Sequence, residues 1–534
     1  MTSRRDYREE FWLICTVMLV GIEQEENLGI RYIAAYLNSA GIPAEVLPYQ
    51  PGSEDEVYQE VCKKQPKVIG FSLIFQSMIG DFQKLVDYLR NRGVTAHFTM
   101  GGHFPTLDPE LTLAWIPGLD SVTCHEGELT LYDICRHLEE PEYREKIPGL
   151  AFMRDGNVVK TPPRHLIENL DDLPFPIRNS PVATMRDIGI ISLIASRGCF
   201  FNCSFCSIQK FYGGAPGPKR RTRSPENVVR EMEELFYRQN VRIFIFKDDD
   251  IGMKNRAQRE WLDTFCRLLE KRGLADSILW RISSRIDEID KDVLARLRET
   301  GLKIIYLGIE SGNEAGLVTC NKHYHIPDVQ NSLDIIRKAG LHYEYGYMLL
   351  DPDSTFSSIK ENLAFLDQIT RDGKNQVQFA KMLPYAGTDI EERLSKQGRL
   401  NDSVTYPDYD FIDPRVNLFD NFVAKSFDST FGDRGLTTLL KLLTFDSIIL
   451  SRFWKDRFDT DEYARILQGF TRENNELVLS TLTKTVHFME EREYNAILDD
   501  SRFLRDLIKT QHNRERELSG NLTDAVSSFF PSAA

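Results

Sequence analysis

Apolar and polar positions alternate in blocks along the first quarter of the chain. Short apolar runs at Trp12–Val20, Ala44–Leu47, Lys67–Ser72, Ala96–Met100 and Ser121–Cys124 read as buried strands. Between them, amphipathic stretches at Gly29–Asn38, Glu54–Lys64, Gly80–Asn91 and Glu128–Leu138 read as helices. Strand and helix in alternation imply a parallel sheet with helices on both faces, a Rossmann- or flavodoxin-like domain over residues 1–140. Such sheets bind ligands at the carboxyl ends of their strands. Pro148, Pro162, Pro163, Pro174, Pro176 and Pro181 interrupt residues 141–185, which are expected to be a linker. Alternation resumes with strands expected at Ile191–Ser196, Arg242–Phe246, Ile278–Ser283, Lys303–Gly308, Tyr343–Leu349 and Val377–Lys381. One intervening helix opens at Ser224-Pro225-Glu226, with Ser as cap, Pro at the first helical position and acid in the first turn. Six strand–helix units predict a partial (β/α)6 TIM-type barrel over 186–400, with its active site at the C-terminal strand ends. Residues 401–534 turn helical, with long segments at 434–455 and 471–512 and a polar end expected to fray. The fold class is α/β with a helical C-terminal region.

Composition narrows the function classes. The chain has 534 residues, 42% hydrophobic and 27% charged, as ordinary globular proteins do. A formal net charge of -14 argues against a nucleic-acid partner. The one dense basic run, Lys219-Arg220-Arg221-Thr222-Arg223, reads as a solvated or substrate-facing loop. Arg4 and Arg5 ahead of the apolar run Phe11–Ile22 imitate a signal peptide, but Asp6, Glu9, Glu10, Glu23, Glu25 and Glu26 surround that run with acid. No stretch reaches the ~18 apolar residues of a membrane span, so a cytoplasmic protein with no membrane partner is expected. The odd count of nine cysteines argues against a disulfide framework. Cys15, Cys62, Cys124, Cys135, Cys266 and Cys320 are scattered and read as small buried hydrophobes.

The other three cysteines stand together in Ser196-Arg-Gly-Cys-Phe-Phe-Asn-Cys-Ser-Phe-Cys206, directly after an expected strand. Thiolates ligate iron–sulfur clusters, and Cys199, Cys203 and Cys206 serve three irons of a cubane, leaving the fourth open to a small molecule. A structural zinc site would ask for a fourth Cys or His, and the next His after the motif is His323. The Cys-x3-Cys-x2-Cys pattern with Phe205 in the aromatic position resembles the signature of the radical S-adenosylmethionine (SAM) superfamily. The resemblance implies a [4Fe-4S] cluster whose open iron is chelated by SAM. It also implies reductive cleavage of SAM to a 5'-deoxyadenosyl radical, and an electron donor of flavodoxin or ferredoxin type. It further assigns Asp248, in Lys247-Asp-Asp-Asp250, to the SAM amino group, with acceptor-only carboxylates suited to an ammonium. Gly308-Ile-Glu-Ser-Gly312 resembles the family's ribose-contacting segment, with Glu310 as hydroxyl acceptor and Ser311 beside it. Ser283 and Arg285 end the third strand, where an Arg pairs with the SAM carboxylate. The fifth strand departs from the family's Gly-rich pattern, with Tyr347-Met-Leu-Leu-Asp-Pro-Asp-Ser-Thr355 in its place.

The N-terminal domain resembles cobalamin-binding domains. Ser72-Leu73-Ile74 is followed, after residues 75–100, by Gly101-Gly102 and then His103. Gln24-Glu25-Glu26-Asn27-Leu28-Gly29 aligns with the family's Asp-x-His-x-x-Gly, so Gly29 survives while the Asp is Gln24 and the lower-ligand His is Glu26. Cobalamin is therefore expected without a His lower ligand at this position, and glycines 101 and 102 would let a bulky ring or nucleotide tail approach the backbone. Glu126-Gly-Glu128 matches a further segment common in the cobalamin-type subfamily.

Together these resemblances imply a radical SAM enzyme acting on a small molecule, in the first reading a cobalamin-dependent methyltransferase of natural-product biosynthesis. The second reading is dehydration, epimerisation, cyclisation or rearrangement, with a vestigial or differently used cobalamin-like domain and with Asp249, Asp250 and Asp351 in acid–base roles. A non-catalytic accessory protein is the reading of another class. A methylthiotransferase would need a cysteine-rich N-terminal domain, and these cysteines are dispersed.

Overall fold

The structure is a computed structural model that describes residues 16–23, 26–178, 181–401 and 403–530. Trp12–Cys15 of the first expected strand, the acids and arginines before it, and Gln24 and Glu25 lie outside the described residues. The chain divides into two compact units, Met1–Asp250 with Leu383–Asp408, and Ile251–Met382 with Tyr409–Ala534.

In the first unit, β1 (Val17–Ile22), β2 (Ala44–Tyr49), β3 (Val68–Ser72), β4 (His97–Gly101) and β5 (Ser121–Thr123) pair in parallel. The spatial order is β2-β1-β3-β4-β5, the doubly wound order with its topological switch between β1 and β3. Alternate positions on each strand supply the two cores. Met18, Val20, Phe71 and Phe98 pack with Phe82, Leu85 and Leu89 on one face. Val17, Leu19 and Val68 pack with Ile30, Ala34, Leu131 and Ile134 on the other.

The expected linker holds more structure than its prolines announce. β6 (Leu150–Arg154) and β7 (Asn157–Lys160) form an antiparallel hairpin that extends the first sheet beyond β5. Its turn, Asp155-Gly156, has φ of 50° and 79°, the positive values a two-residue hairpin asks for. The prolines flank the hairpin instead of interrupting it. Next come β8 (Ala183–Met185) and β9 (Ile188–Leu193), antiparallel to each other. A short β10 (Ser196–Arg197) pairs with β11 (Arg221–Thr222), and β12 (Val241–Phe246) runs parallel to β9. Helix Pro225–Gln239 begins as expected, the Ser224 hydroxyl accepting from Asn227 N at 3.1 Å.

The second unit continues the alternation with parallel strands β13 (Leu279–Arg285), β14 (Leu302–Glu310), β15 (His342–Leu350) and β16 (Ala380–Lys381). β16 is shorter than expected because Val377 N donates to the Asn475 side chain at 2.8 Å instead of to a neighbouring strand. Helices Pro414–Phe431, Leu436–Phe453, Thr460–Glu490 and Ser501–Phe529 follow. The expected single stretch 471–512 is two helices with a short one, Tyr494–Asp499, between them. Through residue 530 the last helix is docked, not frayed: Leu518 and Leu522 are buried, and Phe529 and Phe530 lie 4.9 and 5.1 Å from the Tyr463 ring. Phe419, Phe422 and Phe427 are core residues. Among the described residues no helix is long and apolar enough to cross a membrane.

Candidate functional site

Cys199, Cys203 and Cys206 share the loop between β10 and helix Ser207–Gly213, each half-buried and outside any disulfide. Cys206 N donates to Cys203 O at 3.1 Å, and Ile390 N donates to Ser204 O at 3.0 Å, so the backbone of the loop is held at its centre. Phe205 is half-buried within it. Gly198 enters the loop with φ 85°, and a Cβ there would stand 1.8 Å from Lys219 O. Burial pushes the Cys199 thiol up to about 12, and Asp250, Asp249 and Cys206 push the same way. Such a thiol ionises only against a strong positive charge, which iron supplies.

The aspartates after β12 divide their labour. Both Asp248 oxygens accept from Ala195 N, at 3.0 and 3.2 Å, and one also accepts from the Ser196 hydroxyl. Asp248 thereby ties the end of β12 to the turn ahead of the cluster loop. Asp249 accepts from Gly198 N at 2.9 Å. Loss of water around it pushes its carboxyl up to about 6, against that hydrogen bond and with help from Asp248 and Asp250. Asp250 is buried, and its main-chain carbonyl accepts from Arg220 at 2.8 Å.

The carboxyl ends of β1, β3, β4 and β5 open on a cavity of about 520 Å3. Its lining brings together Gly29, Ser72, Gly101, Gly102 and His103 with Ser196, Arg197, Tyr212 and Asp249 from the cluster-loop region. Gly102 has φ 115°, and a Cβ there would stand 2.2 Å from Leu73 O. Ser72 Oγ accepts from Asn27 at 3.1 Å. The His103 ring packs against Phe211 with centroids 4.5 Å apart and planes tilted by 31°, and burial pushes its imidazolium down to about 4, so it is neutral at physiological pH. Ile74 and Phe75, 38% and 50% exposed, leave apolar surface at the cavity's edge. A large, partly apolar ring system fits these walls. Glu26, where an imidazole would stand in the resembled family, accepts from Arg178 at 2.6 Å and from Ser192 N at 2.8 Å, so its carboxylate is engaged in the fold.

Sequence reasoning missed one cluster of charges. Glu126 accepts from Arg197 and Arg221, each at 2.9 Å, and from Ile167 N at 2.8 Å; Glu128 accepts from Arg197 at 2.7 Å. Arg223 pairs with Glu231 at 2.7 Å. Arg221 and Arg223 are buried, so the basic run is not a solvated loop: two of its arginines turn inward, Arg221 to Glu126 and Arg223 to Glu231 on the helix that follows. The Glu126-Gly-Glu128 segment was the available signal.

The second unit carries the remaining expected residues at its strand ends. Ser283 O accepts from Ile251 N at 2.9 Å. Arg285 is held by both oxygens of Asp287, at 2.9 and 3.1 Å, and lies 5.4 Å from the Tyr324 ring centre. Glu310 has φ 66° and pairs with Lys322 at 3.2 Å. Left-handed backbone at a non-glycine residue marks stored strain. Ser311 is buried and bonds Asn362 at 3.2 Å. Asp351 accepts from Asp353 N at 2.8 Å, an Asx turn that shapes the departure from β15.

Two family models match the chain: the B12 binding domain over residues 16–134 and the Radical SAM superfamily over residues 193–366. The chain is 28% identical over 399 residues to an uncharacterized methyltransferase of Pyrococcus horikoshii, a match covering 73% of this chain and 83% of the relative. It is 27% identical over 324 residues to an anaerobic magnesium-protoporphyrin IX monomethyl ester cyclase of Cereibacter sphaeroides, covering 59% of this chain and 50% of that one. The fold is shared with OxsB, a cobalamin-dependent SAM radical enzyme solved with aqua-cobalamin and SAM bound. The TM-score is 0.66 at 17% identity, over 95% of this chain and 85% of that one.

Proposed function

We propose that this chain, a radical SAM enzyme with a B12-binding domain, methylates a small-molecule substrate with cobalamin as methyl carrier. The observation that carries the reading is the 520 Å3 cavity, whose lining runs from the glycines of the B12 face to Arg197 and Asp249 beside the cluster loop. Cluster, SAM and cobalamin together would supply the electron, the hydrogen-abstracting radical and the methyl group. Cys199, Cys203 and Cys206 would hold three irons. Gly29, Ser72, Gly101 and Gly102 would leave room for the corrin and its tail, and His103, neutral and packed against Phe211, would meet it as an uncharged wall. On the second unit, Glu310, Ser311, Ser283 and Arg285 are assigned to SAM. Arg285 would exchange part of its bond to Asp287 for a carboxylate of the ligand. Asp249, with its carboxyl near 6, holds or releases a proton close to neutral pH; Asp250 and Asp351 are the further carboxylates assigned to proton transfer. A flavodoxin- or ferredoxin-type protein is assigned as electron donor.

The second reading is a radical rearrangement, dehydration or cyclisation without methyl transfer. It is favoured by Asp249 and by the relative named as a cyclase. The two separate in one experiment. Anaerobically reconstituted protein is given cobalamin, reductant and SAM with a deuterated methyl group, and the cobalamin is analysed by mass spectrometry. Deuterated methylcobalamin is expected. Formation of 5'-deoxyadenosine with no label on cobalamin would move the second reading to first place.

A further inference from the structure

Arg197 lies two residues before Cys199, and Glu126 and Glu128 lie at the corner where β5 gives way to helix Glu128–Arg136. We propose that these residues, with Arg221, couple the corrinoid cavity to the cluster loop, so that filling the cavity seats the loop and seating the loop tightens the cavity. The inference rests on the reading that the cavity takes cobalamin.

Three features of the geometry support it. First, one carboxylate pins both strands of the hairpin beneath the cysteine loop. Arg197 and Arg221 are direct partners in the β10–β11 register, and both bond Glu126. Glu128 takes the other nitrogen of Arg197, so the guanidinium is gripped by two acids. Second, both ends are closely packed. The corner bearing the two acids lies against helix Leu28–Ser39, where a Cβ on Gly127 would meet the tip of the Ile33 side chain at 2.7 Å. Gly198, which joins Arg197 to Cys199, is tighter still: a Cβ there would stand 1.8 Å from the main-chain oxygen of Lys219. Third, Glu126, Gly127, Glu128 and Arg197 are themselves walls of the cavity. The four charged side chains balance, two against two, at exposures of 9% for Glu126 and Arg197, 2% for Glu128 and 5% for Arg221. Buried pairs of this kind are poor sources of stability but strong selectors of one geometry. Burial alone would push the Glu126 carboxyl up; Arg197 and Arg221 more than reverse it and hold it below the ordinary carboxylate range.

Coupling of this sort is reciprocal: if the cluster tightens cobalamin binding, cobalamin tightens cluster retention by the same factor. Glu126, Glu128, Arg197 and Arg221 are thus positioning residues, acting on iron and corrinoid through the loop. The test measures hydroxocobalamin Kd, by absorbance titration, for protein with the cluster assembled and for protein stripped of iron by chelator. In the wild type the cluster is expected to tighten binding by about 5- to 150-fold, the usual range of site-to-site coupling. In Glu128→Gln, and in Arg197→Lys, which keeps the charge but loses the fork, both forms are expected to bind with their ratio reduced toward unity. A wild-type ratio of unity overturns the coupling whatever the variants do. An unchanged ratio in variants that keep the wild-type Tm shows the acids and arginines to be a static brace, and overturns it too. Failure of every form to bind cobalamin is a different result, the failure of the cavity reading itself.

Discussion

At Gly198 the chain turns into the cysteine loop with φ 85°, where a methyl group would collide with the Lys219 carbonyl. Gly198→Ala is expected to cost about 1–3 kcal/mol in backbone strain alone and to lower the iron bound per chain after reconstitution; full iron loading at unchanged Tm would contradict this. Cys199→Ala, Cys203→Ala and Cys206→Ala are each expected to abolish 5'-deoxyadenosine formation from SAM, and retention of that product by any one would remove it from the ligand set. The cysteine triad stood out in the sequence because its three members fall within one loop. The Arg197–Glu126 pair did not, because its partners are 71 positions apart and nothing local to a basic run says which of its arginines turn inward. Asp248 shows the same limit: its bonds to Ala195 N and to the Ser196 hydroxyl cross 53 and 52 positions, and nothing in the local sequence names those partners.

At the level of elements, period-two and helical patterning located β1 to β5 and their helices closely, because each buries a face of alternating or 3.6-spaced apolar residues. The β6–β7 hairpin was hidden by the prolines around it, although its Asp155-Gly156 turn was readable. The last helix was misread from its polar composition. Leu518 and Leu522 are four apart, one helical face, and enough to dock it against Leu440 and Leu467 in a shared apolar cluster. Leu522→Ala is therefore expected to destabilise by about 2–5 kcal/mol in denaturant unfolding, the cost of a core truncation. A change within about 0.5 kcal/mol, as at a surface site, would restore the frayed end.

For the whole molecule, burial of titratable groups sets the response to pH. Burial pushes His97 and His342 down to about 4, from the ordinary 6.5. Between those values the unfolded chain binds protons that the folded chain refuses. This part of the stability is complete above about pH 6.5 and is lost as pH falls toward about 4. The denaturant midpoint is expected to fall further between about pH 7 and about pH 5 in the wild type than in a His97→Gln, His342→Gln variant, and an equal change in the two would show that these imidazoles do not carry the effect. The central claim is that one chain presents a corrinoid cavity against an iron–sulfur loop, and cofactor stoichiometry tests it most directly. The protein is reconstituted anaerobically with iron and sulfide, mixed with hydroxocobalamin, desalted, and its retained cobalamin measured by absorbance and mass spectrometry. One cobalamin per chain, alongside an intact cluster, is the expected result; an intact cluster with no cobalamin retained would contradict it.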